Sequence, residues 1–457
     1  MTIKNAFAFF IFLAGLAACA LAEKEAPPAG GVPKDFNLPK KTIVTLKNGL
    51  SATLIPYGSV PTVSVAVTVR AGNLNEAPDQ VWIADITGDL MKEGTKTRTS
   101  VAVAQEAAGM GGSINVGVGN DQTTVSGDVL SEFGPAFVKL LADVVRSPLL
   151  PESELARLKN DRLRDLSIYK TQPHQIALEQ FLRMIFPDHP YGRAFPTEQM
   201  LKGYTIEQAR SFYKTNFGAA RTHVYIAGRF DEKAMAAAVR QAFEGWEKGP
   251  APLIRIPTPA AKKQFFLIDR PGAAQSTIYL GLPVIHPADK DYIGLLVTDA
   301  LLGGSFASRI TSNIREQKGY TYAPYSQVAS RYRAANWVEI ADVSTDVTGP
   351  ALKEIFYEIE RLKKEPPSAD ELKGIQNYVA GTFVLQNSTR RGIIGQLAFL
   401  DLHGLKDEYL TTFVKNVHAL TAKDIQRIVE EQLRPSAMTL VIAGDKGKIE
   451  GQLVEYK

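Results

Sequence analysis

The chain has 457 residues, 45% of them hydrophobic and 22% charged, which is typical of a globular protein and excludes a disordered one. This length exceeds one ordinary hydrophobic core and predicts two domains or more. The formal net charge of +4 is small and no run of Lys and Arg stands out, so we predict no nucleic-acid partner.

Residues 1–22 predict a bacterial secretory signal, because their apolar run is too short to span a bilayer comfortably. Within it, the sequence Leu-Ala-Ala-Cys ending at Cys19 resembles a lipobox, whose Cys is lipidated and becomes the mature N-terminus. The alternative is ordinary cleavage after residues 20–22, which would release a soluble periplasmic protein. We favour a membrane-anchored periplasmic lipoprotein because Cys19 is the only cysteine. Residues 23–37 then predict a flexible tether.

The stretch VWIADITGDLMKEGTKTR, residues 81–98, predicts a helix that ends in a turn. Asp85 and Asp89 are four residues apart, so both carboxylates share one face of this helix, with Gly88 beside them. Like charges at this spacing repel unless a positive group lies between them.

The next two elements are a strand and a helix. A strand is predicted at Ser113–Val118, directly after the glycines of GMGG. Because this glycine cluster follows a helix and leads into a strand, it does not fit a dinucleotide-binding loop. The predicted helix at residues 155–170 carries Asp165.

The chain repeats itself with an offset of 216 residues: residues 205–228 and 421–444 each predict a helix, a break and a strand that ends in Ile-Ala-Gly. This period is too long for a solenoid and indicates duplication of one domain. Strands followed by runs of helices predict an α+β class, each domain a mainly antiparallel sheet with helices packed on one face. We place the two domains at residues 38–246 and 264–457, joined by a Pro-rich linker at 247–263.

In the second half, GGSFASRITSNIREQKGYTYAPYS (residues 303–326) places Arg315 and Tyr322 seven residues apart. An Arg and a Tyr at this spacing are weak evidence by themselves. Arg315 could cap a helix C-terminus, and Tyr322 could be an ordinary strand aromatic.

Taken together, the two halves, the EGTKTR turn, SPLLPESEL (residues 147–155) and REQKGYTY (residues 315–322) resemble the insulinase/pitrilysin family of zinc peptidases. The resemblance covers about residues 38–450. In that family the helix before the Gly-Thr turn carries H-x-x-E-H, whose two His bind zinc while the Glu activates the metal-bound water. A later helix supplies a Glu as the third ligand.

The resemblance implies that the zinc site is degenerate. Anchored on the Gly-Thr turn, Asp85 and Asp89 stand at the two His, Gly88 at the catalytic Glu, and Asp165 near the third ligand. No two of the six histidines lie closer than 15 residues, so we predict no zinc in this chain. The carboxylates could attract Mg²⁺, Mn²⁺ or Ca²⁺, or they could be solvated or pair with Arg or Lys.

The resemblance also implies two parts of a substrate site. In the family, the residues matching Arg315 and Tyr322 bind the substrate carbonyl and help to hold the tetrahedral intermediate, which suits a guanidinium and a phenol. An edge strand pairs with the substrate backbone by β-augmentation. The matching residues here are Ser113, Ile114, Asn115 and Val116, and the alternative is a bulged edge strand without a ligand.

One half-site is lost and the other is kept, as expected for a split peptidase. The sequence therefore predicts a non-catalytic or co-catalytic subunit of a periplasmic zinc peptidase. A homologous partner with H-x-x-E-H would bring zinc, and peptides or unfolded segments would be the substrate. The alternative is a catalytically silent peptide-binding or scaffold protein of the cell envelope.

Overall fold

Two β-sheets share one order of strands, except that the first sheet has an additional edge strand, β1. The first sheet has the order β1-β2-β6-β3-β5-β4 and the second the order β7-β11-β8-β10-β9. The strands are β1 (Thr42–Thr45), β2 (Ser51–Pro56), β3 (Thr62–Val69), β4 (Asn115–Val118), β5 (Thr123–Leu130), β6 (Thr222–Gly228), β7 (Gln264–Asp269), β8 (Gln275–Val284), β9 (Tyr325–Arg331), β10 (Ala334–Ser344) and β11 (Thr439–Gly444).

Each sheet contains a single parallel pair, β2 with β6 and β7 with β11, and all its other pairs are antiparallel. The two strands that end in Ile-Ala-Gly, β6 and β11, therefore occupy the same topological place. The predicted α+β class with two homologous, mainly antiparallel halves is confirmed.

The structure is a computed structural model that describes residues 34–457. Its helices are Ile83–Met91, Ser100–Gly109, Gly134–Arg146, Glu152–Thr171, Pro173–Ile185, Glu198–Gly203, Ile206–Asn216, Glu232–Phe243, Tyr292–Asp299, Arg309–Thr311, Thr348–Lys364, Ala369–Gln386, Arg390–His403, Glu408–Thr411, Phe413–Ala419, Ala422–Gln432 and Lys446–Ile449. The helical stretch Tyr292–Gln317 is long and apolar enough to cross a membrane, but 72% of its most apolar window is buried inside the protein.

The repeated helices before β6 and β11 begin with the same device. The Thr205 hydroxyl accepts a hydrogen bond from the backbone N–H of Gln208, and the Thr421 hydroxyl accepts one from that of Asp424. In both helices the side chain of this third residue in turn accepts a hydrogen bond from the backbone N–H of the capping Thr. The two bonds satisfy two backbone donors that a helix start leaves without a partner. The periodic pattern of the repeat thus has a local physical basis.

The two halves exchange one helix each. Pro173–Ile185 of the first half packs on β8 and β11, where the Phe181 and Tyr279 rings lie 5.9 Å apart. Arg390–His403 of the second half packs on β3 and β6. Because alternate residues of a strand point to opposite faces, the face of each sheet that its own helices leave free is covered by the other half.

The structure corrects one boundary and leaves others as predictions. Residues 35–457 form one compact unit, so the predicted division at 247–263 stays a prediction. The tether was predicted to extend to residue 37, but the Phe36 ring packs edge-on against Phe383 at 5.5 Å. An aromatic side chain next to an apolar surface is buried by the hydrophobic effect, so the folded part begins earlier. The predicted signal and Cys19 lie outside the described residues.

Candidate functional site

The helix Ile83–Met91 presents Asp85 and Asp89 on one face while most of its other side chains are buried in the first core. It begins directly after Trp82, which has a positive φ of 70°. A bulky residue in this backbone region is strained, and the indole N–H is tied to the carbonyl of Ala194 at 3.0 Å. The tertiary contacts of Trp82 thus fix the direction in which the two aspartates emerge.

An arginine lies between the two aspartates. Arg162, on the helix Glu152–Thr171, approaches Asp89 Oδ2 with Nη2 at 2.6 Å and with Nε at 2.9 Å, and its Nη1 lies 3.8 Å from Asp85 Oδ1. Lys92 adds a second ion pair to Asp89 at 2.9 Å. Burial acts to lower the pKa of Arg162, but the charges of Asp89 and Asp85 outweigh it and raise that pKa. The carboxylates therefore pair with Arg and Lys.

Two residues that the sequence did not single out complete this cluster. The Asn73 amide donates to Asp85 Oδ2 at 2.8 Å and to Glu76 Oε1 at 3.1 Å, and the backbone N–H of Ala84 donates to Glu76 at 3.0 Å. Burial, and then the charge of Asp85, raise the pKa of Glu76 to about 8. Burial also raises the pKa of Asp85, against the opposing effect of Arg162.

Position 88, where the resemblance places the catalytic Glu of the family, lies against the edge strand β4. A Cβ added to Gly88 would lie 2.6 Å from Val118 Cγ2 and 3.6 Å from Val116 Cγ1. Because real Cβ atoms essentially never approach a carbon so closely, the Val118 side chain would have to shift before a longer side chain could fit. Position 88 thus carries no carboxylate acid/base, and one placed there would clash with Val118 as it stands.

The cluster does not suit zinc. Within residues 34–457, no group of three or more His, Cys, Asp or Glu side chains is arranged to hold a metal ion. Asp165 lies one turn from Arg162 on the same helix, and its charge acts on Arg162. The oxygens that a cation would need are instead occupied by Asn73 and the guanidinium, so a positive side chain stands where the resemblance places a metal.

The predicted substrate strand lies at the edge of the first sheet. β4 pairs only with β5, in the register of Asn115 with Ser126 and Val116 with Val125, so its other edge is unpaired within residues 34–457. The strand begins at Asn115, so Ser113 and Ile114 precede it as extended chain. Val116 packs against the first core, whereas Asn115 is exposed.

Arg315 and Tyr322 lie side by side. The Arg315 guanidinium carbon is 5.2 Å from the centre of the Tyr322 ring and 4.3 Å from that of Phe306, so it is within cation–π distance of two aromatic residues. Arg315 lies in the π-helical segment Ser312–Gln317, and Tyr322 lies in the loop before β9. Phe306 was not predicted, although it belongs to the quoted GGSFASR segment.

The structure does not join the two groups of predicted residues. No hydrogen bond or ion pair among the described residues connects Arg315 or Tyr322 with Asp85 or Asp89. The nearest ion-pair partner of Arg315 is its neighbour Glu316, at 3.4 Å. Among the described residues, the two groups are therefore not in direct polar contact.

Two models of known protein families match this chain. A family model described as "Insulinase (Peptidase family M16)" matches residues 54–197, and one described as "Peptidase M16 inactive domain" matches residues 203–379. The chain belongs to the insulinase family of peptidases. Its first match contains the Asp85 cluster, and its second, named for an inactive domain, contains Arg315 and Tyr322.

Relatives of this insulinase-family chain are named zinc proteases. A protein of Rickettsia bellii called "Uncharacterized zinc protease" is 25% identical over 73% of this chain and 79% of its own length. The Bacillus subtilis relative of the same description is 24% identical over 75% of this chain and 83% of its own length. These proteins are named for zinc, whereas the cluster in this chain does not suit it.

Two solved structures share the fold. The peptidase M16 inactive domain from Pseudomonas fluorescens has a TM-score of 0.80 at 24% identity and covers 88% of this chain and 98% of its own. A protease from Helicobacter pylori has a TM-score of 0.83 at 20% identity and covers 89% of this chain and all of its own. At this identity they support the fold alone.

Replacing Arg162 by methionine is expected to lower the free energy of unfolding by about 2–3 kcal/mol at neutral pH, because it leaves two partly buried carboxylates without their main counter-charge. The loss should shrink in acid, where the carboxylates are protonated. Urea unfolding at both pH values measures it. Arg164→Met, whose exposed side chain pairs with Asp161 on the same helix, is the control and should cost about 0.5 kcal/mol or less. Equal stability of both variants at neutral pH would contradict this role of Arg162.

Proposed function

We propose that this chain is the zinc-free subunit of a two-chain insulinase-type peptidase in the periplasm of a bacterium. A homologous partner with H-x-x-E-H would supply the zinc and the acid/base. This chain would supply Arg315 and Tyr322, and it would present its edge strand to the substrate. The substrate class is peptides or unfolded polypeptide segments held between the two subunits.

The observation that carries the proposal is the contrast between two sites in one chain. At the first site, Arg162 and Lys92 pair with Asp85 and Asp89, and position 88 carries a glycine in place of a carboxylate that could activate water. At the second, Tyr322 is 83% exposed and its ring lies against the Arg315 guanidinium. Two hydrogen-bond donors without a nucleophile of their own are the kind of group that stabilises an oxyanion formed elsewhere.

The edge strand supports the same proposal. The unpaired edge of β4 offers backbone donors and acceptors to an extended peptide, which is recognised through its main chain more than its side chains. Such pairing would explain how a chain without its own nucleophile still holds a substrate. The identical edge also supports the second candidate, a peptide-binding scaffold without chemistry.

An assay with a homologue from the same bacterium that carries H-x-x-E-H separates the two candidates. Each chain alone and the mixture are incubated with an internally quenched peptide, with and without a chelator. The proposal expects hydrolysis by the mixture that far exceeds the sum of the separate chains and that the chelator abolishes. Peptide binding by the mixture without any gain in hydrolysis would favour the scaffold.

A further inference from the structure

Two loops from different halves of the chain meet at one surface. The turn between β2 and β3 carries Tyr57, whose hydroxyl donates to the carbonyl of Ser388 at 3.1 Å. Ser388 lies in the turn between the helices Ala369–Gln386 and Arg390–His403, and its hydroxyl donates to the carbonyl of Leu385 at 2.7 Å. The two turns together line a cleft of about 700 Å³.

Large apolar side chains surround this junction without being buried. Leu385 is 72% exposed, Val60 is 56% exposed and Val384 is 39% exposed. A single exposed aliphatic residue needs no explanation, but two at the end of one helix and a third on the turn joined to it are consistent with a surface that another apolar phase covers. We call Val60, Val384, Leu385, Arg390 and Arg391 the basic–apolar face.

The charge of this face is weakly positive, with two arginines against one carboxylate, Asp128, which lines the same cleft. Arg390 and Arg391 are the first two residues of their helix, at the end where the helix dipole is itself positive. Arg391 is paired with Asp128, whereas Arg390 has the Ser64 hydroxyl at 3.3 Å and no carboxylate ion pair within residues 34–457. Exposed aliphatic groups next to basic groups are typical of surfaces that lie on anionic lipid headgroups.

The N-terminal segment joins the fold at the same place. Phe36 packs against Phe383, the residue directly before Val384. Cys19, the predicted lipidation site, precedes Phe36 by 17 residues, which span at most about 60 Å when extended. A lipid anchor at this distance would hold the face close to the bilayer and raise its effective concentration there.

We propose that the basic–apolar face rests on the surface of a membrane that contains anionic phospholipid. Leu385, Val384 and Val60 would enter the interfacial layer while Arg390 and Arg391 contact phosphate groups. The location of the N-terminal segment and the charge favour a lipid surface over a second protein. The inference does not depend on peptidase activity, because it concerns a different surface.

Site-specific labelling tests the proposal. Cys19 is the only cysteine of the chain, so Leu385→Cys combined with Cys19→Ser leaves a single thiol for an environment-sensitive fluorophore. The matched control is Val101→Cys, at an exposed position on the helix Ser100–Gly109, which does not line the cleft. Both are titrated with phosphatidylglycerol/phosphatidylethanolamine vesicles and with phosphatidylcholine vesicles.

We expect a blue shift of the label at position 385 with the anionic vesicles and none at position 101. Replacing both Arg390 and Arg391 by glutamine should weaken the response about fivefold or more, and added salt should weaken it further. An equal response at both positions would indicate non-specific adsorption and overturn the proposal. A label at position 385 whose emission does not change with vesicles would also overturn the proposal. This includes the case in which a homologous subunit, and not a membrane, covers that position.

Discussion

If the proposed two-chain peptidase forms, Tyr322→Phe is expected to lower its turnover by about 10²–10³-fold, the usual cost of losing one oxyanion donor. The hydroxyl would act only as charge develops on the carbonyl oxygen, so kcat should fall while KM changes less. Because Tyr322 is largely exposed, removing one oxygen should leave folding intact. Steady-state hydrolysis by the purified mixture measures the effect.

Tyr325→Phe is the matched control for this experiment. Tyr325 is exposed, starts β9 three residues later and loses the same hydroxyl, but its position does not match the family motif. The proposal requires that this variant cleave at nearly the wild-type rate. If Tyr322→Phe also cleaves at that rate while both variants still assemble with the partner, Tyr322 is structural and the scaffold becomes the better interpretation.

Arg315→Lys distinguishes a positioned guanidinium from a mere positive charge. A lysine keeps the charge but cannot reproduce the planar fork that lies near the rings of Phe306 and Tyr322. Turnover should therefore fall clearly even though the net charge is unchanged.

The second large effect is a pH dependence that comes from Glu76. Its pKa rises from 4.5 in the unfolded chain to about 8 in the folded one, chiefly through burial. A carboxyl whose pKa is raised by folding favours the folded state fully at a pH below its unfolded pKa. This contribution to the free energy of unfolding is lost as the pH rises from the unfolded pKa through the folded pKa. Between pH 4.5 and 8 the loss from this group is about 3–5 kcal/mol.

Glu76→Gln should remove most of that dependence. The amide oxygen can still accept from the Ala84 N–H, but the side chain no longer places a charge beside Asp85. Urea unfolding should thus show the variant gaining on the wild type as the pH rises from 5 to 8. Glu430→Gln, at an exposed position on a surface helix, should show no such trend. If the free energies of unfolding of Glu76→Gln and the wild type change in parallel with pH, burial does not raise the pKa of Glu76 as described.

The sequence by itself determined the class of fold. The helix-to-strand repeat, the Thr caps and the Ile-Ala-Gly strand ends are local patterns, and hydrophobic periodicity with backbone capping acts over a few residues. For the same reason the spacing of Asp85 and Asp89 placed both on one helix face. Arg315 and Tyr322 also lie within one short segment, so their proximity follows from a spacing of seven residues.

Only the tertiary structure decided what those residues meet. Arg162 reaches Asp89 across 73 positions of sequence, and Glu76 and Asn73 reach the same helix from the loop after β3. The close contact at position 88 depends on Val118 of a strand 30 residues later, and the exchange of helices depends on contacts between halves. Ion pairing, burial and steric exclusion depend on distance in space, which no local pattern of residues specifies.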